Sequence, residues 1–320
     1  MTSKRIEYID VAKGIAIFIV VYGHSGVKWI FPYISWVQMT FFFFLGGVLF
    51  KNALEKKQSN LSWINAKIKH LIIPYIVFGS LMYAFFFVVS PDLLPDARQL
   101  IIGGVELKGI YGVYWFITVY LATSLVFNYV SQLKRNIQFA IIIAMNLLGH
   151  VLTMTANEPR VIFWNLDVVL ISTTYFAFGY YLKDFLYIFK DFRVIIVSWF
   201  LVGLFVMLQI NDVMDLRMGM KYKQFAHPFI DAIVPLICIV AMMGLIQIIS
   251  KYIDFVKVFG EASLYIMYLH IPQATAFRIL FDYKKEPISF VIMGMVIPSA
   301  IYFLHKRLKS TSGYKKLKIL

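Results

Sequence analysis

The stretch YIDVAKGIAIFIVVYGHSG, Tyr8 to Gly26, would be an ordinary membrane-spanning helix but for Asp10, Lys13 and His24. Whether such a run is a span or a buried core helix depends on the rest of the chain. That chain is 60% apolar and only 15% charged, with a mean hydropathy of +0.75. So little polar surface cannot cover a soluble globule, so the chain belongs in a bilayer. Its apolar residues fall into about ten tracts, each near the roughly 20 residues a helix needs to cross the hydrocarbon. The tracts lie near 7–27, 33–50, 71–90, 111–130, 136–154, 163–182, 193–210, 229–250, 258–277 and 288–304. The first is too long and too charged for a cleaved signal peptide and stays in the mature fold.

The net charge of +14 bears first on orientation. With ten spans and the N-terminus inside, the inner segments carry about twice as many Lys and Arg as the outer ones, which predicts that both termini are cytoplasmic. No segment is long and polar enough to form a soluble basic module, so nucleic acid is not an expected partner. No Pro/Gly/Ser-rich linker interrupts the chain, and residues 1–320 read as a single polytopic domain. Cys238 is the one cysteine, which excludes an internal disulfide and any cysteine-based zinc site. His150, His227 and His305 have no partner at metal-ligand spacing, so no metal is expected.

Placed on a helix, Lys13 and His24 are eleven residues apart, about three full turns, and so share one face roughly 16 Å apart. Asp10 precedes Lys13 by one turn and falls within about 40° of His24 around the axis. Acid, base and imidazole therefore line one stripe. Charges within a span face the bundle interior or a watery cavity, because lipid penalises them. For Asp10 and Lys13 an ion pair at a helix end, with Lys13 snorkelling, is the plain alternative. For His24 the plain alternative is a hydrogen-bonded interfacial residue.

The pattern Arg5, Tyr8-Ile9-Asp10, Lys13-Gly14-Ile15 and Gly23-His24 resembles the first helix of the membrane acyltransferase type 3 family, whose signature is Arg or Lys, ten residues, then His. The resemblance is strongest to the ten-span branch of sugar O-acetyltransferases similar to fucose 4-O-acetylase. MTFFFFLGGVLF from Met39 resembles the family's second-helix motif, with Thr40 in place of proline and Gly46 in place of serine. KIKHLIIPY, Lys67 to Tyr75, resembles the basic entry to the third helix, with Lys67 and His70 where two arginines are usual. YWFITVYL from Tyr114, FWNLDVVL from Phe163, FAFGYYLKD from Phe176 and GEASLYIMYLHIP from Gly260 to Pro272 continue the series in family order. The resemblance implies a multi-pass protein of a bacterial plasma membrane. The implied reaction moves an acetyl group from cytoplasmic acetyl-CoA to a hydroxyl of a cell-surface or lipid-linked carbohydrate, with the acyl-CoA as substrate rather than bound cofactor.

Such a transfer needs a base for the hydroxyl proton and donors for the developing oxyanion. His24 is the best base available, since an imidazole titrates near pH 6.5. It could act as a general base, the preferred role, or carry the acyl group itself. Asp10 lies about 21 Å along the helix from His24, too far to orient it, so that group must come from another helix. Lys13 could hold the pyrophosphate or the thioester end of the donor. Lys67, Lys69 and His70 form a cationic cluster at the inner mouth suited to its phosphates. They are equally readable as a juxtamembrane anchor. Lys51, Lys56 and Lys57 read as topology markers. On the outer side Trp115 could stack on a sugar ring and Asp167 could bind its hydroxyls. His270, in the YLHIP motif, could line the cavity; Ser263 lies about 10 Å from it along the helix and cannot pair with it. A polysaccharide exporter or flippase, or a small-solute transporter, would also use an interior charged stripe, although no related, Pro- or Gly-broken halves are evident. A homo-oligomer in the bilayer stays open.

Overall fold

The computed structural model describes residues 7–27, 31–154, 161–225, 227, 229–282 and 286–310. Among them the chain is helical throughout, and its one β interaction is an isolated bridge between Gly219 and Gln224. The helices are α1 (Glu7–Gly23), α2 (Phe31–Ile34), α3 (Thr40–Val48), α4 (Asn60–Val89), α5 (Ala97–Ile102), α6 (Trp115–Val130) and α7 (Arg135–Met154). They continue with α8 (Leu166–Leu182), α9 (Phe192–Ile210), α10 (Ile230–Ile249), α11 (Lys257–Glu261), α12 (Ser263–Phe281) and α13 (Pro287–Ser310).

Six helical stretches are long and apolar enough to cross a membrane by length and composition: Asn60–Val89, Gly109–Val130, Arg135–Thr153, Phe192–Ile210, Ile230–Ile249 and Pro287–Ser310. The other four expected tracts are helical but shorter or interrupted. Tract 33–50 breaks between α2 and α3, where the Trp36 indole leaves to donate to Leu216 O at 2.7 Å. Tract 258–277 breaks at Ala262, between α11 and α12. The remaining two, α1 and α8, have 17 residues each. Length and composition together therefore carry the ten-span expectation for six of the tracts. Arg5 and both chain ends, which bear on the expected cytoplasmic termini, lie outside the described residues.

Burial sorts the helices into a centre and a rim. On α9 only Ser198 is buried, and on α4 only Trp63, Leu71 and Phe86 are, while Phe200, Phe87 and Val88 stand exposed. Apolar side chains on that scale at the surface suit lipid as the solvent. On α6, by contrast, most residues are buried, including the polar Thr118, Thr123, Ser124 and Asn128. Each finds a partner: Thr123 and Ser172 share a hydrogen bond of 2.7 Å, and Asn128 accepts from Ala53 N at 2.8 Å while donating to Asn60 at 2.8 Å. Buried polar groups without partners would cost about 1–3 kcal/mol each. These bonds staple the loop before α4 onto the end of α6.

Small residues let the central helices meet backbone to backbone. A side chain on Gly47 of α3 would fall on the Phe176 carbonyl of α8, and one on Gly179 of α8 would fall on the Phe44 carbonyl of α3. Helix association in lipid relies on such close packing, since lipid tails are as apolar as leucine. Beside this contact Phe50 packs edge-on against Trp63, Phe127, Phe176 and Tyr180, with ring centroids 5.1–5.9 Å away. The same logic seats α1: a side chain on Gly14 would meet the Val256 carbonyl, and one on Gly260 of α11 would meet the Asp10 carbonyl.

Gly47→Ala is expected to lower stability by about 1–3 kcal/mol through overpacking. Gly203→Ala, where an added Cβ meets nothing within 4 Å, is expected to stay within about 1 kcal/mol of the parent and on the stabilising side. Thermal melting of both variants in detergent checks the pair.

Candidate functional site

Helix α1 carries the site's first residues. Burial on several sides holds it: Val11, Ala12, Ile17 and Val21 are all fully enclosed. The Lys13 ammonium lies 2.7 Å from the Asp10 carboxylate, and both face inward, with side chains 24% and 9% exposed. The ion pair read as the plain alternative therefore forms. It does not seal Lys13 away, because Lys13 lines a cavity of about 210 Å³ shared with His70, Ser263, Tyr120, Phe42 and Met267. Five helices, α1, α3, α4, α6 and α12, meet around that space. Two groups able to carry positive charge and two hydroxyls are thus set into an otherwise apolar wall.

Of the three cations expected at the inner mouth, His70 is the one on the cavity. Lys67 lies over the Trp63 ring, 5.4 Å from its centroid, and 5.9 Å from that of Phe50, a cation–π arrangement. Lys69 is exposed on the rim helix. The cluster is therefore divided by the helix period rather than converging on one point.

Three turns along the stripe, the chain leaves α1 in a tight turn in which His24 N donates to Val21 O at 3.1 Å. Here the His24 ring meets the His270 ring of α12, with centroids 5.4 Å apart and planes at 40°. His270 is fully buried, and its Nδ1 is 2.7 Å from Ile266 O. A carbonyl only accepts, so Nδ1 carries the proton and a neutral His270 presents its lone pair at Nε2. His270 thus brings an imidazole from another helix against His24.

Around the imidazole pair the structure leaves polar groups that sequence reasoning did not single out. Gln273, one turn beyond His270, buries both ends of its amide with no hydrogen-bond partner. Ser25, next to His24, is 2% exposed, and its hydroxyl also has no protein partner. A neutral amide carries no signal in a sequence. Only the absence of partners, at about 1–3 kcal/mol for each unmatched group, draws attention to it. Deeper in the bundle Tyr114 is packed among Tyr75, Tyr111 and Tyr268, with ring centroids 4.9–5.4 Å away. Tyr268 donates to Leu71 O at 3.3 Å, next to His70 and two residues before His270.

The two outer candidates are held differently. The Asp167 carboxylate lies 2.6 Å from Lys223 Nζ, with side chains 8% and 6% exposed, so its charge is matched within the protein. Trp115 is 6% exposed and packs into the core beside Phe116. Neither is brought to the imidazole pair by a contact in the structure. Asp167 lies beside a cap in which Asn165 accepts from Val105 N at 3.1 Å and donates to Lys221 O at 3.0 Å. Lys221 in turn donates to Gly112 O at 2.9 Å and to Leu107 O. In the same cap the His150 Nε2 lies 3.6 Å from Asp231, which accepts from His227 N at 2.7 Å. Among the described residues no group of three or more His, Cys, Asp or Glu could hold a metal ion.

The model for a family described as an acyltransferase domain, type 3, matches residues 6–306. The chain belongs to this acyltransferase family. No curated protein and no solved structure matches it. The match spans both Lys13 and His24 and runs through α12, so the stripe on α1 and the histidine it meets lie within one acyltransferase domain. With the apolar helices, it makes the protein a multi-pass membrane acyltransferase.

Lys223→Met is expected to destabilise the fold by about 3–5 kcal/mol, because it strands the buried Asp167 carboxylate. Adding Asp167→Asn should recover most of that loss. Melting temperatures of the single and double variants in detergent test this coupling.

Proposed function

We propose that this acyltransferase moves an acetyl group from cytoplasmic acetyl-CoA to a hydroxyl of a cell-surface or lipid-linked carbohydrate. The observation that carries the reading is that one helix, α1, presents Lys13 to a largely apolar cavity and ends three turns later at the His24–His270 pair. The cavity's volume of about 210 Å³ is smaller than the roughly 300–1,000 Å³ of sites that enclose a drug-sized ligand. It suits a slim thioester arm, with the bulky nucleotide end outside near Lys67 and Lys69. Lys13 would steady the negative charge that approaches the mouth, and His70 would offer it an N–H donor.

In the reaction the acceptor hydroxyl oxygen attacks the thioester carbonyl while His24 takes the hydroxyl proton. Collapse of the tetrahedral adduct breaks the C–S bond, and the proton passes to the departing thiolate. His270, its Nδ1 proton held on Ile266 O, keeps a defined tautomer beside His24 and positions it. If His24 instead carries the acyl group, its imidazole nitrogen attacks the thioester carbonyl and the C–S bond breaks to release the thiolate; the hydroxyl oxygen then attacks the acyl-imidazole, the C–N bond breaks, and the hydroxyl proton passes to the freed imidazole. Asp10 acts on Lys13, to which it is bonded, and not on His24. A transporter would need the same interior polar groups for binding only, and would tolerate their replacement by polar isosteres.

The test is transfer of labelled acetyl from acetyl-CoA to a glycan by the purified protein, with His24→Gln compared at matched folding. A loss of about 10²- to 10⁴-fold with acetyl-CoA binding intact is expected for removal of the base. Unchanged turnover would remove His24 from the chemistry.

A further inference from the structure

We propose that Gln273 is an acceptor-binding residue that grips two neighbouring hydroxyls of the carbohydrate while a third reacts at the imidazole pair. This inference rests on the acyl-transfer reading of the same site. Its physical basis is the state of one side chain. Both the Oε1 and the Nε2 of Gln273 are buried, and neither has a hydrogen-bond partner. Native interiors rarely leave a whole amide unmatched, and where they do, a functional ligand is a standing explanation.

The surroundings place this amide with the imidazoles. Gln273 follows His270 by one turn on α12, so the two share a helix face. Across from them Gly294 of α13 packs closely: a Cβ there would lie 2.8 Å from Val21, 3.4 Å from the His270 Cβ and 3.9 Å from Gln273 Nε2. Val21 stands one turn before His24 on α1. Three helices thus converge at a close contact that only a glycine allows, with the unmatched amide on its edge.

The chemistry of the amide narrows the ligand. One end only donates and the other only accepts, so a matching group must do both. A phosphate or an acyl carbonyl would satisfy the NH2 end and leave Oε1 stranded. An ammonium would do the reverse. A pair of adjacent hydroxyls satisfies both ends at once, one oxygen receiving the N–H and the other O–H reaching the carbonyl. Exchanging the two ends of the amide leaves this conclusion unchanged. The amides of the donor's pantetheine arm would also match both ends, but Gln273 does not line the Lys13 cavity assigned to that arm and lies one turn from His270, so it is assigned to the acceptor, a sugar with a free hydroxyl pair beside the reacting position.

The experiment uses the full-length protein and methyl glycosides of glucose, galactose and N-acetylglucosamine, with their monodeoxy counterparts, as acceptors. Gln273→Met keeps the volume and removes both polar atoms. The expected result is a KM for the preferred glycoside raised about 10- to 100-fold and a KM for acetyl-CoA unchanged. The parent enzyme should also discriminate against the monodeoxy analogue, and the variant should not. Its melting temperature should equal or exceed that of the parent, since an unmatched buried amide has been removed. A variant that melts lower, or that keeps full discrimination, would overturn the assignment. If the parent transfers no acetyl to any glycoside, the acyl-transfer reading fails and calorimetric binding of the same glycosides decides the Gln273 question. Weaker binding to Gln273→Met then supports the grip on hydroxyls, and equal or absent binding overturns it.

Discussion

The rest of the site depends on how closely α1 can approach α11. Gly14 and Gly260 remove the side chains that would hold the two backbones apart, and the Asp10 and Val256 carbonyls occupy the space gained. In lipid there is little hydrophobic drive between helices, so intimate packing must supply the attraction. Once α1 is set at this depth, its helical period settles the height of Lys13 and the turn from which His24 projects. The same device joins α3 to α8 through Gly47 and Gly179, which closes the bundle on the other side of the aromatic cluster around Phe50.

A second constraint is that every polar group taken into the bundle needs a partner inside it. The α6 hydroxyls and Asn128, the outer cap on Asn165 and Lys221, and the Lys223–Asp167 pair all obey it. Against that background the exceptions stand out. The Tyr114 hydroxyl, the Gln273 amide and the Ser25 hydroxyl are left unmatched by the protein, the last two each within a turn of one of the two meeting histidines. Matching elsewhere is what makes their state informative. An enzyme's binding groups are expected to be satisfied by substrate rather than by neighbouring side chains.

The arrangement also divides labour along one helix. The N-terminal half of α1 offers a charge-balanced cation to a narrow cavity, and the turn after its C-terminal end offers an imidazole packed against another. Tyr268 links the two regions along α12, bonded to Leu71 by the cavity and two residues from His270. Family membership establishes an acyltransferase domain over residues 6–306, and both Lys13 and His24 lie within it.

The sequence by itself determined the membrane class, the helical make-up and the stripe of Asp10, Lys13 and His24. Those features follow from composition and from a 3.6-residue period, both of which are local. The Lys-and-His spacing and the motifs in family order also made the acyltransferase family legible. Tertiary structure alone decided what each polar residue faces. That Lys223 folds back onto Asp167, that Trp115 is sunk in the core, and that His70 but not Lys69 reaches the cavity all depend on contacts between residues far apart in the chain. His270 could be suspected from its motif, yet its meeting with His24 required α1 and α12 to be packed at one depth. Gln273 could not be found at all from sequence, because its significance lies in partners that are missing, and a missing partner is a property of three dimensions.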